Sequence, residues 1–141
     1  MRALYEIGAR VRLCKGAYKE PADIAFPLKK DTDANYLRLA EIFLQPNGNG
    51  NSSHAHLALA THDAKIIEWA KAYSKQNNLD RSRYEFQMLY GIRSDLQRQL
   101  VAEGYPVRVY VPYGSHWYPY FMRRLAERPA NVIFLMSNLF K

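Results

Sequence analysis

A single cysteine, Cys14, is all the sequence offers for thiol chemistry. It excludes an intrachain disulfide and points to a reducing, cytoplasmic compartment. Cys14 itself reads as a small buried apolar residue rather than a reactive thiol. A signal-peptide pattern is lacking, and no apolar run approaches the roughly 18 residues a membrane-crossing helix needs. The apolar tail at 132–135 is far too short, so peripheral contact at the inner membrane is the only membrane role left open. Neither a P-loop nor a GxGxxG turn occurs, which excludes those two phosphate cradles. No serine sits on a strand-turn-helix elbow, so a nucleophilic triad of that kind is excluded. His54 and His56 lie two apart, but no cysteine or acid stands at ligand spacing, and no metal is expected.

Acidic residues are also scarce: 13 Asp and Glu stand against 20 Lys and Arg, for a formal charge of +7. Such an excess attracts anions in general. The cations are spread along the chain without a long run, and the 11 tyrosines sit at strand ends and on helix faces. Nucleic-acid binding calls for clustered cations with interleaved exposed aromatics, so no nucleic-acid partner is expected. What the chain does have is apolar content: 48% of 141 residues suffices for one domain with a core.

Periodicity divides the chain into alternating strands and helices. A short helix over residues 1–7 stops at Gly8. Arg10-Val11-Arg12-Leu13-Cys14 then alternates as a strand and runs into Lys15-Gly16-Ala17-Tyr18, where glycine permits close approach of backbone to a ligand. Asp31 or Thr32 caps a helix with Tyr36, Leu37, Ala40, Phe43 and Leu44 on one stripe. Residues 47–53 form a low-complexity surface loop. A strand over 56–60 ends at Thr61-His62-Asp63, with Asp63 capping a helix that buries Ile66, Trp69, Ala70 and Tyr73. A third strand covers 84–89. Ser94 caps a helix with Leu96 and Leu100 inward and Gly104 closing it. The fourth strand covers 106–111. Short loops between alternating strands and helices mean parallel strands with right-handed crossovers, as in a (β/α)8 barrel or a doubly wound sheet. In both, functional residues gather at the C-terminal strand ends. The residues at those ends are Arg12 to Tyr18, Thr61 with His62, Gln87 to Leu89, and Tyr110. His62 either donates to a cofactor or caps its helix.

After the fourth strand, the chain turns at Pro112-Tyr113-Gly114 and becomes helical. Tyr118, Phe121, Met122 and Leu125 make an apolar stripe at i, i+3, i+4 and i+7. Tyr120, Arg123, Arg124 and Glu127 make a polar one. Two neighbouring guanidiniums suit a carboxylate or a phosphate through paired hydrogen bonds. The same pattern also describes a solvated face laced with ion pairs.

These residues, in this order, resemble the C-terminal half of the FAD-dependent proline dehydrogenase barrel. The matching pieces are Arg12-Leu13-Cys14-Lys15-Gly16-Ala17-Tyr18, Lys29-Lys30-Asp31 with Asn35-Tyr36, and Ala60-Thr61-His62. They continue through Tyr84-Glu85-Phe86-Gln87-Met88-Leu89-Tyr90-Gly91-Ile92, Tyr110-Val111-Pro112-Tyr113-Gly114, and Trp117-Tyr118-Pro119-Tyr120 with Arg123, Arg124 and Glu127. The resemblance implies an α/β fold whose parallel βα units are strands 5–8 of a TIM barrel, a half-barrel spanning 1–141 with no second domain. It implies oxidation of L-proline, or a close imino acid, to pyrroline-5-carboxylate, with hydride passing to FAD and electrons to a quinone.

Residue by residue, the resemblance makes Arg12 a catalytic neighbour of the flavin, able to stabilise the charge of its reduced form. Lys15, Gly16 and Ala17 become a flavin-binding segment, joined by Thr61, His62 and Gln87. Leu89 lines the substrate pocket, and Tyr110 packs against the substrate. Arg123 and Arg124 clamp the proline carboxylate, Tyr120 shares their pocket, and Glu127 orients an arginine. The family's first-half strands have no counterpart here. A truncated or split product is therefore expected, completed by the N-terminal half of the barrel or by self-association; the alternatives are a non-catalytic half-barrel remnant and a basic anion-binding module.

Overall fold

The computed structural model describes residues 1–16, 20–46, 54–115 and 118–119. Helix α1 (Arg2–Glu6) leads into β1 (Arg10–Cys14), and α2 (Lys29–Phe43) precedes β2 (His56–Ala60). Then follow α3 (Ala64–Gln76), a 3-10 turn at Arg81–Arg83, β3 (Tyr84–Leu89), α4 (Ser94–Ala102) and β4 (Val107–Tyr110). The four strands are parallel and lie side by side in sequence order. Sequential order means that every crossover turns the same way, which stacks the helices on one face of the sheet. This is the winding of a barrel segment. A doubly wound sheet reverses its order and covers both faces.

Strand alternation sorts the side chains accordingly. Leu13, Leu57, Leu59, Tyr84, Phe86 and Met88 point to the helices and are buried against Tyr36, Ala40, Phe43, Ile66, Ile67, Ala70, Leu96 and Leu100. The alternate residues (Arg10, Arg12, Cys14, His56, Glu85, Gln87, Arg108 and Tyr110) share the opposite face. Cys14 is exposed there, contrary to the expectation of a buried thiol. The reason is phase: Leu13 takes the helix side, so its neighbour cannot. β1 and β4 form the outer strands of the sheet among the described residues.

Strand boundaries match the sequence pattern closely, whereas helix starts do not. α2 begins at Lys29, after extended Leu28, not at Asp31 or Thr32. Asp31 sits inside the first turn, where a carboxylate is stabilised by the helix dipole without capping. Ser94 is likewise the first helical residue of α4, because Arg93 enters with a left-handed φ of 53° and occupies the cap position. Asp63 does cap α3, its Oδ1 accepting from the Lys65 N–H. The fourth strand is shorter than its pattern, since Pro106 has no N–H and contributes only a carbonyl, to Phe86 N. The loop expected at 47–53 and the residues from 120 on, where a helix is expected, lie outside the described residues.

Gly104 closes α4 with φ +78°, and a Cβ there would stand 2.8 Å from Arg81 Nη1. That guanidinium donates to the Glu103 carbonyl and lies over the Tyr105 ring, 4.3 Å from its centroid. Gly104→Ala is therefore expected to lose about 1–2 kcal/mol from left-handed strain and the displaced arginine. Gly104→Asn loses less strain, since Asn tolerates the left-handed region. Urea unfolding of the three proteins reads the order, and equal stability of all three would overturn it.

Candidate functional site

The face away from the helices is polar, which is unusual for parallel strands, whose two faces are normally both apolar. Its centre is a chain of hydrogen bonds across three strands. Arg108 on β4 grips Glu85 on β3 with both arms, Nε to Oε1 at 2.7 Å and Nη2 to Oε2 at 2.8 Å. Gln87 donates its Nε2 to the same Glu85 Oε1 at 2.7 Å. Gln87 Oε1 then accepts from Arg12 Nε on β1 at 2.6 Å. To reach Gln87, the Arg12 side chain must cross β2. The residues it passes there are Ala58 and Ala60, in register with Arg12 and Gln87 respectively, and their small size leaves it room. The crossing brings the Arg12 guanidinium over the Tyr110 ring, 6.0 Å from its centroid. Arg12, Gln87 and Tyr110, read separately from the sequence as site residues, thus converge at one place. Leu89 is in register with Tyr110 at the same strand ends.

Nε is the only Arg12 nitrogen with a hydrogen-bond partner among the described residues. The two terminal nitrogens therefore remain donors for a ligand. On the other side of the pair, Glu85 is nearly buried. The Arg108 guanidinium holds its carboxyl far down, at about 2, against the opposing effect of burial, and Gln87 assists. His56 approaches the same group, its Nε2 4.0 Å from Glu85 Oε2, while its Nδ1 lies 3.1 Å from the Ser82 carbonyl.

A second charged cluster fastens the segments after β1 and β2. Lys15 is almost fully buried, with its ammonium 2.5 Å from Asp33 Oδ1 on α2 and 2.7 Å from Asp63 Oδ2 at the α3 cap. Lys29 pairs with Asp33 as well and stands 3.6 Å from Asp63 Oδ2. Burial works against both carboxylate charges. Hydrogen bonds from Lys15 and Lys29 to Asp33 outweigh it, as do Lys15 and the Lys65 N–H at Asp63, and both carboxyls stay below their ordinary values. The Lys15 side chain is thereby committed to carboxylates, leaving its main chain to meet a ligand. Gly16 follows with φ +82°, and among the described residues a Cβ added there would meet nothing within 4 Å. Open space beside a left-handed glycine is what a flat ring needs to approach the backbone.

Thr61 and His62 turn out to hold the loop together. Thr61 Oγ1 accepts from the Asp63 N–H at 3.1 Å, and His62 Nε2 accepts from the Leu89 N–H at 2.9 Å. An accepting Nε2 puts the neutral ring's proton on Nδ1. His62 therefore ties the end of β2 to the end of β3 and does not cap α3, a role that falls to Asp63. Tyr36, whose phenol donates to the Leu13 carbonyl at 3.2 Å, anchors β1 from below, and burial pushes its hydroxyl well up. Ala17, Tyr120, Arg123, Arg124 and Glu127 lie outside the described residues.

Sequence reasoning named neither Glu85 nor Arg108 as site residues, and it missed Asp33 altogether. A signal for the first two was present. Glu85 and Gln87 alternate with Tyr84, Phe86 and Met88 on a strand flanked on both sides by others, so both had to face polar partners.

The geometry defines a class: a sequentially wound parallel α/β sheet with a charged, hydrogen-bonded network on the face away from its helices. Comparison with known proteins narrows it. The family model for proline dehydrogenase matches residues 5–137. Proline dehydrogenase 2 of Bacillus subtilis (strain 168) is 49% identical over 131 residues, 93% of this chain and 41% of that protein. Proline dehydrogenase of Deinococcus radiodurans is 46% identical over 139 residues, 99% of this chain and 43% of that protein. Proline dehydrogenase 1 of B. subtilis (strain 168) is 45% identical over the full 141 residues, 44% of its own length. This chain belongs to the proline dehydrogenase family, and its four parallel strands are part of that family's barrel. It spans about two fifths of the length of the curated relatives it matches.

Acid titration tests the ion pairs. Glu85 ordinarily titrates near 4.5 and here near 2, so its contribution to stability is complete above about pH 4.5 and disappears as pH falls toward 2. Asp33 and Asp63, also depressed, add loss in the same direction. Glu85→Gln is expected to lower stability near neutrality by about 1 kcal/mol, a charge-assisted bond discounted for the exposed Arg108. The variant should also lose less than the parent between pH 5 and about 2.5. Parallel acid limbs in urea midpoints would exclude a stabilising role for the Glu85 charge.

Proposed function

We propose that this chain is the C-terminal half of a flavin-dependent proline dehydrogenase barrel and carries most of its cofactor-facing surface. The observation that carries this reading is the convergence of Arg12, Gln87 and Tyr110 at the strand ends, within a chain of this family. FAD fits the residues present: guanidinium donors lie beside an aromatic face, and a left-handed glycine stands next to open space. Bound there, FAD would supply the acceptor for the hydride leaving the proline ring.

The chain's own residues bind and orient. Arg12 offers its two terminal nitrogens to the electron-rich edge of the cofactor and offsets negative charge that accumulates on reduction. Lys15, Gly16 and Ala17 would hold the cofactor through their main chain, while Thr61 and His62 hold the adjoining turn in shape. Gln87 keeps Arg12 in place. Tyr110 and Leu89 wall the substrate, and Tyr110 places an aromatic face against the imino-acid ring. Arg123 and Arg124 clamp the substrate carboxylate with paired charge-assisted bonds, with Tyr120 beside them and Glu127 orienting one guanidinium. L-proline, or a close cyclic imino acid, is the substrate, and pyrroline-5-carboxylate the product.

The outer edges of β1 and β4 fit completion by further βα units, from an N-terminal half or a second copy. A quinone is the onward electron acceptor. No helix among the described residues is long and apolar enough to cross a membrane. Contact with a quinone-bearing membrane is read as peripheral and electrostatic from the formal charge of +7. Binding to anionic liposomes that weakens across a salt series supports this contact, and unchanged partition removes it.

The deciding experiment is the visible spectrum of the protein with FAD, alone and with the complementary barrel half, before and after proline. The expected result is a bound-flavin spectrum that proline bleaches. Replacing Arg123 or Arg124 with Met is expected to raise KM for proline by about 30–150-fold, from the loss of roughly 2–3 kcal/mol of clamp. Retention of no flavin under either condition would overturn the proposal.

A further inference from the structure

We infer that Glu85 is a positioning residue for the site: its carboxylate fixes the orientation of the Gln87 amide, and the amide in turn fixes the Arg12 guanidinium. The inference rests on the reading of Arg12 as the cofactor's neighbour and deepens it.

A carboxylate accepts and cannot donate, so the Gln87 group that faces Glu85 Oε1 at 2.7 Å has to be the NH2. The Gln87 carbonyl oxygen must then point the other way, toward β1. Arg12 Nε–H is a donor and cannot accept, and it meets that oxygen at 2.6 Å. With both ends defined, the amide has a single orientation. A flipped amide would bring oxygen against carboxylate and NH2 against N–H, two repulsive contacts for two attractive ones.

Glu85 itself is held rigid. Arg108 engages both of its oxygens from the next strand, at 2.7 and 2.8 Å. A bidentate pair of this kind fixes a plane as well as a position. Rigidity therefore passes from β4 through β3 to β1, and the Arg12 terminal nitrogens are presented in one direction over Tyr110. Neither Glu85 nor Arg108 has to touch cofactor or substrate to matter. Pre-ordering a guanidinium before a ligand arrives removes the entropy of ordering it during binding.

The test compares the full enzyme, FAD-loaded and FAD-free, with its Glu85→Gln, Gln87→Leu and doubly substituted variants. The first readout is the Arg12 Nε–H signal in arginine-labelled protein, assigned by its loss in Arg12→Lys. Hydrogen exchange at that position is expected to speed up by about tenfold or more in Glu85→Gln. Gln87→Leu leaves the Glu85–Arg108 pair in place and is expected to give the same change. The double variant should add nothing, because both substitutions break one path. In the loaded enzyme the flavin potential should shift to a more negative value, and kcat should fall more than KM rises. An unchanged Arg12 signal in Glu85→Gln and Gln87→Leu, or additive effects in the double variant, would overturn the positioning role. Should the parent retain no flavin while the Arg12 signal still responds, the positioning role stands and the flavin reading falls.

Discussion

Everything in this structure depends on parallel strands being covered by helices on one side only. Sequential winding puts α2, α3 and α4 against the same face, and alternation then forces every second strand residue to the other. The covered face is satisfied by apolar packing. Among the described residues no helix covers the opposite face, and the chain places there residues that satisfy one another: Arg12, Gln87, Glu85 and Arg108. Such a face needs an internal arrangement of charges, since unpaired groups in a partly closed space are costly. The polar network is therefore a solution to a folding problem, set on the face where the site is proposed.

Two electrostatic assemblies divide the work. The Arg108–Glu85–Gln87–Arg12 path crosses the sheet transversely and acts on side chains. The Lys15, Asp33 and Asp63 group sits above the strand ends and acts on backbone, holding the segments after β1 and β2 together. One buried lysine between two carboxylates is favourable only because each charge is compensated within bonding distance. Together they leave Arg12 and the Gly16 backbone as the groups facing outward at the strand ends.

How much of this could be read from the chain alone follows the range of each interaction. Strands β1, β2 and β3 are legible to the residue, because RVRLC and YEFQML alternate and HLALA is a short, mostly apolar run. Helix starts are less so: Asp31 and Ser94 have the right chemistry for caps, yet the preceding backbone at Leu28 and Arg93 decides where each helix begins. Arg12, Gln87 and Tyr110 are legible as strand-end residues, and the family resemblance named their roles. Their mutual contact is not legible, since it depends on strand register and on Ala58 and Ala60 being small. The exposure of Cys14 depends on strand phase, and the bond His62 accepts from the Leu89 N–H is not legible because that partner lies on another strand.

The Lys15–Asp33 pair has a topological meaning beyond its charge. It joins two points of the chain on either side of the segment before α2, so that segment is a closed ring with fixed ends. The entropy of such a ring rises only logarithmically with its length, about 0.6 kcal/mol for a doubling. Residues can accordingly be added or removed within 20–28 without moving Arg12, Gly16 or the α2 register. The segment is a region where the chain can acquire new surface while the strand ends beneath it stay constant.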